Sequence, residues 1–106
     1  MAELRIDVSD TTSPTVVVLN GDVELSTAAR LRDRLNAVAA SGVSDVVVDL
    51  RDAVVGDATG LGILLFGVDR LSEHGHVVLR SPSLDLREFL LSAADRLDVS
   101  IEPATP

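Results

Sequence analysis

Residues 57–62 read Asp57-Ala58-Thr59-Gly60-Leu61-Gly62 and stand between a short apolar run and a helical pattern. An acidic residue followed by small residues and two glycines is typical of the point where a strand turns into a helix. The free backbone N–H groups at a helix start favour negative charge and can hold or receive a phosphate. The hexapeptide therefore predicts a strand-to-helix junction that is also a candidate functional site.

Strand patterns lie on both sides of this junction. Alternating apolar and polar residues predict one strand over 3–8, and turn residues at 10–14 join it to a denser apolar strand as a hairpin. Residues 21–25 are predicted to be a loop. The run Val46-Val47-Val48 indicates a strand that is apolar on both sides, as in a sheet with both faces covered. The predicted strands, in chain order, are 3–8, 15–20, 43–50, 76–80 and 97–101.

Three helices are predicted from apolar residues at helical spacing. Ser26 or Thr27 is expected to cap the first helix and Gly42 to end it. The second is predicted over 59–73, and the third begins near Pro82. Their expected buried residues are Ala28, Leu31, Leu35 and Val38 in the first, Leu61, Leu64, Leu65, Val68 and Leu71 in the second, and Leu86, Phe89, Leu90 and Ala93 in the third.

The order of elements predicts the fold class. A hairpin followed by alternating helices and strands favours an α/β fold with a mostly parallel central β-sheet, an N-terminal hairpin and three to four packed helices. We expect a single domain over residues 1–102, with a frayed C-terminal tail over 103–106.

Composition excludes several classes of function. The chain has 106 residues, no cysteine and a net charge of −8. The absence of cysteine excludes disulfides, thiolate metal sites and a cysteine nucleophile. The acidic balance argues against nucleic acid as a partner and suits a basic protein surface. The N-terminus lacks a signal-peptide pattern and the longest uncharged run, 58–68, is too short to span a bilayer, so we expect a cytoplasmic protein without direct membrane insertion.

Enzymatic and cofactor chemistry find no support in the sequence. His74 and His76 lack a third ligand at a recognisable spacing, so a turn and a strand start explain them better than a metal site. Leu65 stands where a dinucleotide-binding fingerprint would place its third glycine. No nucleophile, base and orienting residue can be recognised together. The sequence predicts a protein that is not an enzyme and binds no cofactor.

Several segments, in order, resemble the sulfate transporter and anti-sigma antagonist (STAS) family. The hexapeptide is similar to its Asp-Ser-Ser/Thr-Gly-Leu-Gly signature, and Gly21-Asp22-Val23-Glu24 is similar to its Gly-Glu-Leu-Asp loop. Residues 45–52 resemble its central strand, and Ser81-Pro82 its Ser-Pro helix start. Residues 91–97 resemble its terminal Leu-Thr-Gly-Leu run, with Ala93 in place of the glycine. The resemblance covers nearly the whole chain and implies a STAS-like fold.

The resemblance also implies a function. It indicates an anti-sigma factor antagonist (anti-anti-sigma factor), a bacterial protein that binds an anti-sigma factor which is also a serine kinase of the GHKL-type ATPase class. Such binding regulates sigma-factor-dependent transcription. Phosphorylation of the first serine of the signature switches these antagonists off, and Ala58 occupies that position here. Thr59 has taken over as acceptor, or the site is not phosphorylated, or the alanine is an engineered substitution; the sequence leaves these three alternatives open.

The resemblance places the partner-binding surface on the 21–25 loop and the start of the second helix. Asp57 is equally well explained as a helix cap, and Thr59 as local backbone chemistry. The two glycines indicate close packing or close approach of a partner. Ile63 and Phe66 are expected opposite the buried stripe, which favours a partner contact. The candidate contact residues are Asp22, Glu24, Asp57, Ala58, Thr59, Gly60, Gly62, Ile63 and Phe66.

The sequence is also compatible with two other functions. The first is a stand-alone STAS subunit of a membrane transport complex, such as a lipid-trafficking ABC system, whose members also vary at the phosphorylation position. The second is a small-ligand binding module that uses the cleft near the hexapeptide. Formation of a homodimer is also left open.

Overall fold

The fold is a five-stranded sheet with three helices, described by a computed structural model for residues 3–11, 13–94 and 98–102. The secondary-structure elements, in chain order, are β1 (Leu4–Ser9), β2 (Thr15–Val23), α1 (Leu25–Ala40), β3 (Val46–Val55), α2 (Ala58–Ser72), β4 (Val77–Arg80), α3 (Leu84–Ala94) and β5 (Val99–Glu102). No helix in these described ranges is both long and apolar enough to cross a membrane.

The strands lie side by side in chain order, from β1 to β5. β1 and β2 form the antiparallel hairpin, with Val8 opposite Val17. Every later neighbour is parallel, and each parallel pair is joined through one helix. The predicted α/β fold, a mostly parallel sheet with an N-terminal hairpin and packed helices, is confirmed.

One face of the sheet carries the core. The buried residues of all three helices join those of the strands in a single cluster that includes Val46 and Val48. Helices that follow one another across neighbouring parallel strands with one handedness of crossover stay on the same face. Val47 is also buried, yet it lies outside that cluster and pairs laterally with Val16 and Val78. The expectation that both faces are covered is therefore wrong for the helices that the structure describes, although Val47 on the other face is buried between the strands that carry Val16 and Val78.

Several predicted boundaries are wrong around the candidate site. Strand β2 continues to Val23, and β3 runs to Val55 instead of ending at Leu50. The two strands pair in parallel up to Val23 opposite Val55, so each extension supplies hydrogen-bond partners to the other. Much of the predicted 21–25 loop is consequently strand. Glu24, rather than Ser26 or Thr27, is the N-cap residue of α1.

The third helix differs from its prediction in one important respect. Leu86 and Leu90 are buried as expected, but the Phe89 side chain is 58% exposed. In α2, Leu64, Val68 and Leu71 are fully buried, whereas Leu61 and Leu65 are only half-buried. The Ala93 side chain, the start of the predicted last strand at Leu97 and the predicted tail at 103–106 lie outside what the structure describes.

Helices α1 and α2 pack closely because α2 has a glycine at their contact. A Cβ added to Gly67 would lie 2.3 Å from Leu35 Cδ1 and 3.1 Å from Leu35 Cβ. The same addition at Gly62, five residues earlier in the same helix, would meet nothing within 4 Å. Core packing explains the first glycine and leaves the second without a steric reason.

This contrast predicts opposite effects of the same substitution. Gly62→Ala should stabilise the fold by about 0.5–1 kcal/mol, because alanine is the better helix former and the site has room. Gly67→Ala should destabilise it by about 1–3 kcal/mol, because Leu35 must move within a packed interface. Urea unfolding of both variants beside the parent chain measures this, and equal effects would contradict the packing argument.

Candidate functional site

Asp57 links the starts of two helices. Its backbone is extended, and its Oδ1 accepts a hydrogen bond from the Gly60 N–H at 2.7 Å, which caps α2. Its Oδ2 accepts a second bond from the Leu25 N–H at 2.9 Å, at the first residue of α1. A carboxylate at a helix N-terminus satisfies a free donor and interacts favourably with the helix dipole. One side chain therefore caps both helices and ties the end of β2 to the end of β3.

These bonds change the acidity of Asp57. The hydrogen bond from Gly60 contributes most and the bond from Leu25 next, and together they lower the pKa of the carboxyl below its ordinary value. Hydrogen bonds to a carboxylate stabilise its charged form, whereas burial would oppose it. The side chain is therefore a fixed negative charge at neutral pH.

The backbone of Val23 completes the junction. Its carbonyl accepts a hydrogen bond from the Gly56 N–H at 2.9 Å. A Cβ at Gly60 would lie 2.3 Å from that same carbonyl oxygen and 2.8 Å from Glu24 Cα. Gly60 is thus buried where α2 meets the end of β2, which agrees with the packing alternative for this glycine. Gly62, by contrast, is exposed and faces open space.

A buried hydroxyl holds the acidic segment that faces the junction. Thr27 is 4% exposed, and its Oγ1 donates to the Asp22 carbonyl at 2.6 Å. The same oxygen accepts a hydrogen bond from the Glu24 N–H at 3.1 Å. In a capping box, a serine or threonine at the N-cap is followed three residues later by glutamate or glutamine. Here the two positions are exchanged, with Glu24 at the N-cap and Thr27 three residues later. From the sequence, Thr27 is predicted only as a cap whose own side chain accepts a hydrogen bond from the helix.

The predicted contact residues are brought together by these bonds. Asp57, Ala58, Thr59 and Gly62 are exposed, and Asp22, Glu24 and Ile63 are half-buried. Phe66 follows Gly62 by four residues, so the two share one face of α2, and its side chain is 49% exposed. Of the nine, only Gly60 is buried and turned towards the protein. We use the name docking surface for the eight others, whose contact with a partner is predicted from the sequence: Asp22, Glu24, Asp57, Ala58, Thr59, Gly62, Ile63 and Phe66.

A second polar cluster joins the last two strands. His76 Nδ1 lies 2.6 Å from Asp98 Oδ1, and His76 Nε2 lies 2.6 Å from Ser100 Oγ. No sequence pattern predicts this set, because only the register of β4 and β5 brings its members side by side. All three side chains lie at an exposed sheet surface, and Ser100 sits within a strand rather than at a strained turn of the kind that exposes a nucleophile. We assign the cluster to strand pairing.

A cavity lies beside the junction, where the end of β3 and the start of α2 face α3. Its volume is about 600 Å³, and it is open to solvent. Its lining includes Val54, Asp57, Leu61, Asp85, Leu86 and Phe89. The sequence had predicted a cleft near the hexapeptide, and this cavity is in that place. Within the described ranges, no group of three or more histidine or acidic side chains is placed to hold a metal ion.

Comparison with known proteins agrees with this fold. The STAS_2 family model, described as Mlab, STAS domain, matches residues 6–99. The structure is similar to that of the anti-sigma factor antagonist SpoIIAA in its unphosphorylated form, with a TM-score of 0.72, 18% identity, and coverage of 95% of this chain and 90% of that one. The phosphorylated form of the Bacillus cell fate determinant SpoIIAA gives a TM-score of 0.70 at 19% identity, with 95% and 92% coverage.

A third solved structure is more similar in sequence. An anti-sigma factor antagonist from Mycobacterium paratuberculosis is 25% identical, with a TM-score of 0.70 and coverage of 92% of this chain and 86% of that one. The two likenesses to SpoIIAA support the fold.

The double cap makes a prediction for stability against pH. The pKa of Asp57 is lower in the folded state than in the unfolded chain, where it is about 3.9. The charged carboxylate therefore adds its full share to the free energy of unfolding above that pH, and this share is lost as the pH falls through the folded pKa. Asp57→Asn should therefore be less stable than the parent at pH 7. The difference should shrink below about pH 4. Urea unfolding of both proteins at pH 7, 5 and 3 measures it, and a difference independent of pH would show that the charge is not involved.

Proposed function

Because the chain belongs to the STAS domain family, whose model matches residues 6–99, we propose that it is an anti-sigma factor antagonist. In this proposal residues 1–102 form one STAS domain in the bacterial cytoplasm. The domain binds an anti-sigma factor of the GHKL-type serine kinase class and thereby regulates sigma-factor-dependent transcription. It acts by binding and catalyses no reaction. The structural likeness to solved antagonists, one of them 25% identical, supports this assignment.

The observation that carries the proposal is the joining of two segments into one surface by Asp57. Its bond to Leu25 holds the acidic segment of Asp22 and Glu24 beside the start of α2. The exposed part of α2 then offers small residues at Thr59 and Gly62, followed by the aromatic ring of Phe66. Small residues allow a partner backbone to approach, and a half-exposed aromatic side chain is a common anchor in protein interfaces. The acids suit a basic partner surface.

Regulation by phosphorylation would act through charge at this same place. Ala58 has no hydroxyl, so Thr59 is the acceptor that the hexapeptide offers, and its side chain is exposed. A phosphate there adds a charge of about −1.5 to −2. Asp57 already occupies the Gly60 N–H of this helix start with a carboxylate. The added charge would therefore lie beside a fixed negative charge, and the bulky, hydrated phosphate would keep a partner backbone from approaching at Thr59 and Gly62.

A second candidate function follows from the name of the matching family model. That model is described as Mlab, STAS domain, and not as an anti-sigma factor antagonist. The candidate is a STAS subunit of a membrane transport complex of the lipid-trafficking ABC type. It requires no phosphorylation, which agrees with Ala58. Purified GHKL-type and ABC-type ATPases from the genome that encodes this chain, tested for direct binding, separate the two.

Phe66→Asp should weaken binding of the cognate kinase by more than about tenfold, because it replaces the aromatic anchor of the docking surface with a charge. The ring is 49% exposed, so the free energy of unfolding should change by only about 0.5 kcal/mol. Leu91→Asp is the matched control, since Leu91 is 48% exposed and lies on α3. Calorimetric titration measures both, and equal loss in the two variants would exclude a specific contact at Phe66.

Phosphorylation can be tested by treatment with the kinase and MgATP. We expect one phosphate on the parent chain and none on Thr59→Val. Ala58→Ser should become a better substrate and change stability by no more than about 0.5 kcal/mol, because position 58 is exposed. Each phosphorylated form should bind the kinase more weakly than the unmodified form. Phosphate on another residue, or unchanged affinity after modification, would show that the hexapeptide is not a switch in this chain.

A further inference from the structure

The cavity beside the junction is lined mainly by apolar residues, one of which is aromatic. Leu61 and Leu86 lie at its base, and Val54 and Phe89 lie on its rim with 60% and 58% of their surface exposed. Phe89 stands at a helical spacing that predicts burial with Leu86 and Leu90, yet its ring faces the cavity and solvent. Two large apolar side chains kept in water around one concave site are typical of a binding surface rather than of a free exterior.

The charge of the cavity has one sign. Among the described residues that line it, the charged ones are Asp57 and Asp85, and both are acidic. Asp57 is held in its charged form by the Gly60 and Leu25 N–H groups, and each of its oxygens keeps a further lone pair. Asp85 lies in the first turn of α3, where the helix dipole favours a negative charge. An occupant with an apolar part and a cationic group would match both properties.

The cavity is continuous with the docking surface. Asp57 and Ala58 belong to both, and Leu61 stands between the exposed face of α2 and the cavity base. A protein that covers the docking surface would therefore extend over the cavity mouth. Interfaces commonly place aromatic, apolar or arginine side chains in such pockets, and an arginine combines an apolar stem with a charged, donor-rich end.

We propose that this cavity receives an anchor from the protein partner: an apolar side chain inserted against Phe89 and Leu86, with an arginine or lysine beside it against Asp57 and Asp85. The inference rests on the proposed function, because it takes the partner to be the protein that covers the docking surface. It adds a specificity site on the α3 side of the junction. It also states the chemistry of the partner segment, which is apolar and basic within one short stretch.

Selection of peptides on the full chain tests the anchor without knowledge of the partner. Random 12-residue peptides displayed on phage are selected on the parent protein, with Phe89→Ser as the counter-target. We expect enriched peptides to carry a large apolar residue within about four positions of arginine or lysine, the reach of one helical turn. Their synthetic forms should bind Phe89→Ser about tenfold more weakly and Asp85→Asn about threefold to tenfold more weakly.

Two matched controls accompany these variants. Leu91→Ser removes a similarly exposed apolar side chain of α3 outside the cavity lining, and Asp10→Asn removes the same charge at the opposite end of the sheet. Both should bind the peptides as the parent does. Absence of enrichment, enrichment of acidic or uncharged peptides, or binding that is insensitive to Phe89→Ser or Asp85→Asn would each overturn the proposal.

The outcome is separable from that of the proposed function. If the kinase binds through Phe66 and neither kinase nor peptides respond to the cavity variants, the anchor is wrong and the antagonist function stands. If basic apolar peptides bind in the cavity while no GHKL-type ATPase binds the chain, the anchor stands and its owner is a different protein. Small hydrophobic amines serve as a further probe. If Phe89→Ser no longer binds these amines but still binds the selected peptides, the cavity belongs to a small ligand and the anchor is overturned.

Discussion

The carboxylate of Asp57 bonds to Gly60 at the start of α2 and to Leu25 at the start of α1. Two helices that begin at the ends of neighbouring strands each leave N–H groups without partners. A single acid between them satisfies one donor on each and brings two positive helix ends together around one negative charge. This contact holds the acidic segment beside the start of α2, next to the cavity that Asp57 lines.

Close packing at the same point limits what can change there. Gly60 must lack a side chain because the Val23 carbonyl lies where its Cβ would be, and Gly67 must lack one because of Leu35. Gly62 has no such neighbour. A helix that keeps a glycine without a packing reason gives up stability, and the proposed approach of a partner to α2 supplies a reason. The three glycines of α2 thus have different explanations, and the sequence alone does not distinguish them.

The sequence predicted the existence and type of nearly every element because apolar spacing reports directly on the face that a helix or strand buries. It was less successful at strand ends. Val23 and Val55 extend their strands because each pairs with the other, and such pairing between residues 32 positions apart leaves no local signal. Phe89 was predicted to be buried because its spacing fits the stripe of α3, but the stripe there faces a cavity instead of a strand.

The amino-acid sequence by itself determined the α/β class, the hairpin and the resemblance of the hexapeptide to the STAS signature, since these depend on local patterns. Asp57 could be identified from it as a helix cap, because capping is a contact over three residues. The tertiary structure alone decided that the same carboxylate caps a second helix 32 residues away, and that Asp85 and Phe89 face the same cavity as Asp57. The physical reason is that these contacts arise where parallel strands end side by side, and chain order does not encode that proximity.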